Sequence, residues 1–201
     1  MAEKKPTKRK LQAQATRKKI YNAAMDLITE KGYDNITVAE ICEHAGVAKG
    51  LFYYYFNSKN DFIIETYKNI DELYRDTVVA GFRDDSTWNK ILKTVSFQAR
   101  YGIKVGLGQT IEVYKSQLVS GTEYFVSESR YFFQVMRDYI SEGQQKGEIR
   151  TDIEADEIVR TILSFSRGIV YDWCLHKGSY DIDTVMQQRF IMIMNCFAPL
   201  A

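Results

Sequence analysis

Between Pro6 and Pro199 the chain carries no proline. A proline inside a helix removes a hydrogen bond and clashes with the preceding turn, costing about 3 kcal/mol or more. So long a stretch without one favours long helices, and the apolar spacing agrees. Ile20, Ala24, Leu27 and Ile28 fall at i, i+4, i+7 and i+8, one stripe of a helix. Breaks are marked at Lys31-Gly32, Gly46, Asp84-Asp85-Ser86, Gly106 to Gly108, Gly121, Gly147 and Gly178-Ser179. No strand alternation or hairpin signal competes. The spacing predicts an all-α chain of about nine helices, over 12–31, 37–45, 48–54, 59–81, 87–104, 107–119, 128–146, 154–176 and 182–197.

Composition narrows the class. The 201 residues suffice for one large domain or two small ones, and 45% hydrophobic content sustains a sizeable core. The longest apolar runs are far short of a membrane span, and no signal-peptide pattern precedes them, so no membrane partner is expected. Cys42, Cys174 and Cys196 form no CxxC pair and are odd in number, which suits thiols used as small apolar residues in a reducing cytoplasm. The net charge of +1 hides an asymmetry. Residues 1–60 hold 11 basic and 6 acidic residues, whereas 61–201 hold 16 and 20. A basic head on an acidic body points to a polyanionic partner; a chance imbalance with a solvated tail is the plainer reading.

The order along the chain suggests three parts: a flexible basic arm at 1–11, a DNA-binding domain at 12–57 and a larger body at 58–201. Within the second, Thr37-Val38-Ala39-Glu40 has the capping-box pattern, and Gly46 supplies the left-handed turn that ends the following helix. The segment AGVAKGLFYYYF then poses a problem of facing. At about 100° per residue, placing Phe52 inward brings Ala48, Tyr55 and Phe56 to the inner side. Gly50, Tyr53 and Tyr54 point outward and Lys49 sits at the flank. A bare backbone admits a close surface, phenols bond phosphate oxygens, and lysine donates to guanine O6 and N7. The outward tyrosines therefore face DNA from a helix-turn-helix, or they pack on another domain.

Residues 16–62 resemble the DNA-binding head of the TetR/AcrR family of bacterial transcriptional regulators. The resemblance rests on Gly32-Tyr33, Thr37-Val38 with Ile41 and Ala45, Gly46-Val47-x-x-Gly50-x-Phe52-Tyr53-Tyr54-Tyr55-Phe56, and Ser58-Lys59. It implies a base contact from Lys49 and close backbone approach at Gly50. It also implies phosphate or sugar contacts from Tyr53, Tyr54, Tyr55, Thr37 and Lys59. Ala48, Leu51 and Tyr55 depart from the family's frequent serine, small polar residue and histidine. Losing a serine cap costs roughly 1 kcal/mol, and Leu51 is expected on a thymine methyl. The body resembles the family's ligand-binding and dimerisation domain in helical layout and length, with Glu142-Gly143 through Gly147-Glu148-Ile149-Arg150 as a familiar turn. The implied protein is a repressor that binds a palindromic operator in double-stranded DNA as a homodimer. A small, largely apolar effector releases it.

Two helical stripes are candidates for the dimer surface: Ile158, Ile162, Phe165, Ile169 and Trp173, then Phe190, Ile193, Met194 and Phe197. They form a four-helix interface across a two-fold axis, or they belong to one subunit's core. Candidate pocket residues are Trp88, Phe97, Tyr101, Tyr114, Gln117, Phe133, Met136 and Phe165, with Arg100 as a second polar anchor beside Gln117. Ordinary core is the alternative for each. An enzyme is not expected: Cys42 and His44, like Cys174 and His176, stand two apart on a helix and point to different sides. No phosphate loop, metal spacing or nucleophile elbow occurs, and no cofactor is implied. The remaining rival is a helical protein-interaction module that does not bind DNA.

Overall fold

A computed structural model describes residues 7–59, 61–77, 86–120 and 123–199. Among them the chain forms nine α-helices and no strand: α1 Lys8–Lys31, α2 Val38–Ala45, α3 Lys49–Tyr55, α4 Asp61–Thr77, α5 Thr87–Val105, α6 Leu107–Ser120, α7 Tyr131–Gln145, α8 Ala155–Leu175 and α9 Ile182–Met194. Short 3₁₀ turns at Tyr33–Asn35, Glu123–Val126 and Asn195–Phe197 add to the helices expected from spacing. Residues 1–6 of the expected arm, Asn60 of the pattern before α4, the stretch to 81, and the breaks at Asp84-Asp85 and Gly121 lie outside the described residues. No described helix is long and apolar enough to cross a membrane.

The helices divide into two compact units. One comprises residues 1–66 with 112–121, the other 67–111 with 122–201. The first unit takes in the start of α4, where the ring of Phe62 is fully buried against Phe52 at 5.8 Å and Phe56 at 4.7 Å between centroids. Arg17 adds an ion pair to Glu65 (2.7 Å), and the Tyr21 and Thr66 hydroxyls share a hydrogen bond of 2.9 Å.

In the first unit α1 packs on α2, and α2 on α3. Ile20, Ala24, Leu27 and Ile28 are buried as their spacing requires. In the second unit α5 packs on α7 and α9, and α8 on α7 and α9. Two polar arrangements lie inside that packing. Arg130 holds Asp71 through Nη2 (2.6 Å) and Nε (3.1 Å), with both side chains nearly buried. Tyr74, fully buried, shares a hydrogen bond of 2.6 Å with Thr94, and burial pushes its phenol well above the usual range. Gly143 lets α7 approach the turn that follows it: a Cβ there would lie 2.6 Å from Ile149 Cδ1 and 2.8 Å from Thr87 Cγ2.

Candidate nucleic-acid interface

The interface is built from two helix ends and the turn between them. At the start of α2, the Thr37 hydroxyl accepts from the Glu40 amide (3.2 Å), while the Glu40 carboxylate accepts from the Thr37 amide (2.9 Å) and hydroxyl (2.8 Å). Lys31 donates to the other oxygen of the same carboxylate at 3.0 Å. Lys31 first, then Thr37, draw the Glu40 carboxyl down from the usual 4.5 to about 2. At the other end Gly46 is left-handed (φ 58°), its N–H donates to Glu43 O, and the Val47 N–H donates to Cys42 O. These paired bonds close α2 in the Schellman manner and re-aim the chain into α3.

α3 sorts its aromatics by side. Phe52 and Phe56 are buried, and the Arg17 guanidinium lies 5.3 Å from the Phe56 ring centre. Tyr53 is 56% exposed and Tyr54 76%, with Leu51 and Lys49 also exposed. Tyr55 is half-buried, its ring edge-on to Tyr54 at 4.9 Å. Ala48 is exposed rather than inward, because it sits in extended backbone (ψ 148°) before the helix begins and so escapes the helical angle. It makes no side-chain cap, as its lack of a hydroxyl requires. Gly50 is informative by contrast with Gly46. A Cβ built on Gly50 meets nothing within 4 Å, and its φ is not left-handed. Neither packing nor backbone geometry within the head demands glycine there.

Two expected phosphate ligands have other commitments. Both donors of Thr37, amide and hydroxyl, go to Glu40. Lys59 turns back into the head, donating to Tyr33 O (3.1 Å) and Ile36 O (2.8 Å) with its ammonium 4.9 Å from the Tyr33 ring centre. It secures the α1–α2 connection instead of reaching outward. On the other side of that connection Glu112 of α6 accepts from the Tyr33 amide at 2.8 Å. Burial pushes the Glu112 carboxyl up, but Lys115 at 2.8 Å and the amide together bring it below the usual range. No local signal in the sequence announces Glu112, since its partner is 79 positions away. Lys49, Gly50, Leu51, Tyr53, Tyr54 and Tyr55 do stand together on one short helix.

The body residues are dispersed more widely. Trp88, Phe97, Tyr101, Phe133, Met136 and Phe165 lie in the second unit, and Tyr114 and Gln117 belong to the first. Phe133 and Met136 are buried; Phe97 stacks edge-on to Tyr74 at 5.2 Å. Arg100 is an exposed partner of Asp183 (2.7 Å) rather than a polar anchor in a pocket. Of the candidate dimer residues, Ile158, Ile162, Ile169, Trp173, Phe190 and Phe197 are buried within the single chain, in which α8 packs on α5, α7 and α9 and α9 packs on α5, and Phe165, Ile193 and Met194 are half-buried. The apolar side chains left outside are Tyr171 and Leu175 of α8 and Ile191 and Met192 of α9.

A capped helix, a left-handed glycine turn and a short helix with an unfilled, aromatic outer face define a helix-turn-helix DNA-binding protein. The comparisons with known proteins give the family. Residues 20–66 match the model for bacterial regulatory proteins of the tetR family. The HTH-type transcriptional repressor KstR2 of Rhodococcus jostii (strain RHA1) is 24% identical over 187 residues, which cover 90% of this chain and 91% of that protein. The fatty acid metabolism regulator protein of Bacillus subtilis (strain 168) is 24% identical over 169 residues, 81% of this chain and 86% of its own. Among solved structures, FadR from Bacillus subtilis in complex with stearoyl-CoA aligns with a TM-score of 0.69 at 20% identity, covering 85% of this chain and 94% of that one. Residues 20–66 thus carry a DNA-binding head of the tetR family, and over most of its length the chain is similar to transcriptional regulators.

Proposed function

We propose that the protein is a cytoplasmic repressor whose homodimer lays two α3 helices in successive major grooves of a palindromic operator. The observation that carries this reading is Gly50: a side chain there would touch nothing in the head, so the bare backbone serves an incoming surface. Lys49 reads a base edge, Leu51 meets a thymine methyl, and Tyr53 and Tyr54 hold the flanking sugar-phosphate. Tyr55 supports Tyr54 edge-on. Thr37 and Lys59 act at one remove, fixing α2 and the α1–α2 connection. The second subunit docks on Tyr171, Leu175, Ile191 and Met192, the apolar side chains of α8 and α9 that remain exposed.

The effector is a small, largely apolar molecule held by the aromatic body. Trp88, Phe97, Tyr101, Phe133, Met136 and Phe165 are its candidate contacts there. Likeness to a fatty acid metabolism regulator and to a FadR structure holding stearoyl-CoA makes long-chain acyl thioesters the first class to test. For release, the effector must prefer the state that binds DNA poorly; a coupling of about 1–3 kcal/mol gives a 5–150-fold change.

Gly50→Ala tests the proposal because its two effects have opposite signs. Alanine in place of glycine stabilises a helix interior by up to about 1 kcal/mol, so chemical unfolding should show an equal or more stable head. Affinity for duplex selected from random-sequence DNA should fall at least tenfold. Unchanged affinity would remove the support that Gly50 gives. A protein-interaction module without DNA binding would select no duplex at all.

A further inference from the structure

We infer that Glu112 of α6 is a positioning residue for DNA reading: opposite Lys59, it fixes the connection from which the α2–α3 hairpin departs. This rests on the DNA-binding reading above. The connection is the short turn Tyr33–Asn35. Both backbone polar groups of Tyr33 are held by ionised side chains from outside α1 and α2. Its N–H donates to Glu112 Oε2 at 2.8 Å. Its carbonyl accepts from Lys59 Nζ at 3.1 Å, and the same ammonium donates to Ile36 O at 2.8 Å. Gly32 supplies no side-chain cap to the turn, and Glu112 takes the first amide instead. A Cβ on Gly32 would lie 3.5 Å from Glu112 Oε2, so the carboxylate is seated against the turn.

The arrangement does more than satisfy one amide. The Glu112 side chain is only 14% exposed, and Lys115, one turn along α6, holds its other oxygen at 2.8 Å. Hydrogen bonds to ionised groups are roughly twice as strong as neutral ones, so the turn is gripped from two sides by opposite charges. Ile36, which follows it, is buried, and Thr37 then opens α2. The capping box and the paired bonds at Gly46 fix α2 and its exit into α3. A hairpin fixed in this way takes its direction from its point of entry, which Glu112 and Lys59 hold. Residues 112–121 form one compact unit with 1–66, so this part of α6 belongs to the head that reads DNA. Phosphates recur along any duplex and tolerate several poses of a protein, whereas base edges are read from one. Loosening the turn should therefore cost selectivity before it costs binding.

The test compares the full-length wild type with Glu112→Ala, Glu112→Gln and Lys115→Ala, each measured on duplex recovered by selection from random-sequence DNA and on unselected duplex. Glu112→Ala should lower affinity for selected duplex about tenfold, the order of one charge-assisted hydrogen bond. Its affinity for unselected duplex, which phosphate charge dominates, should stay within about twofold of wild type. Glu112→Gln keeps an oxygen that accepts from the Tyr33 amide and should restore most of the selectivity. Lys115→Ala leaves the carboxylate in place and should select as wild type does. Amide hydrogen exchange should find the Tyr33 N–H protected in the wild type and the glutamine variant, and exchanging faster in the alanine variant. Wild-type selectivity in Glu112→Ala would overturn the inference and leave the regulator reading intact. Equal losses on both duplexes, matched by a loss of stability, would also overturn it, because they mark a role in folding alone. A wild type that selects no duplex would overturn both.

Discussion

The α2–α3 hairpin and the body are both helical and rich in aromatics, but the features that shape them act over different distances in sequence. In the hairpin the shaping contacts are local. Thr37 and Glu40 are three residues apart, Gly46 stops the helix that they start, and Phe52 packs on Phe56 one turn later. In the body the polar ties are remote: Asp71 to Arg130 spans 59 positions, and Lys90 to Glu142 spans 52. A local pattern can be recognised before the fold is known; a remote pair exists only once the fold has formed. The two regions should therefore also break differently under substitution.

The largest effects should come from the two cores. Phe52→Ala removes a fully buried ring and should cost about 3–5 kcal/mol of head stability, seen as unfolding at lower denaturant with loss of duplex binding. Asp71→Ala should cost a similar 3–5 kcal/mol in the body, because it strands the nearly buried Arg130 guanidinium without its carboxylate. If Asp71→Ala unfolds no more easily than a surface variant, the body does not depend on its remote ion pair and the contrast fails.

A smaller effect is expected at Gly143. An added Cβ would meet the γ-methyl of Thr87, a stiff β-branched side chain, as well as Ile149. Gly143→Ala should destabilise the body by about 1–3 kcal/mol, against the stabilisation expected for the same change at Gly50. Denaturant titration of the two variants side by side sharpens the comparison: two glycines in helices, one required by packing and one not.

The smallest effect concerns pH. The Glu40 carboxyl is drawn down to about 2 in the folded head, so its contribution is present above the usual 4.5 and lost as pH falls through about 2. The stability difference between wild type and Glu40→Gln should therefore be constant from neutral pH to about 4.5 and close below it. A difference that persists unchanged to pH 2 would show that the carboxylate's charge plays no part.

What is legible in the sequence follows the same division. The capping box, the left-handed glycine and the inward phenylalanines are readable because each is fixed by spacing along one or two helices. Helical angles misplace Ala48 because they do not hold one residue before the helix start. Thr37 and Lys59 read as outward residues, since no spacing shows that Glu40 takes both Thr37 donors or that carbonyls of the α1–α2 connection take the lysine. In the body, periodicity finds the apolar stripes of α8 and α9 but not which side each neighbour covers. Most of those stripe residues are buried within the single chain, while Tyr171, Leu175, Ile191 and Met192 are exposed. α1 begins at Lys8 because helix formation there needs no apolar stripe, only residues that tolerate the conformation, so apolar spacing places its start too late.

The central claim is that the outer face of α3 exists to meet a duplex and contributes nothing to the fold. The most direct measurement is the paired unfolding free energy and duplex affinity of Tyr53→Ala/Tyr54→Ala, both rings being more than half exposed. The account predicts unfolding within about 0.5 kcal/mol of wild type, as for ordinary surface changes, with affinity reduced at least tenfold. Undiminished affinity, or a loss of affinity accompanied by an equal loss of stability, would contradict it.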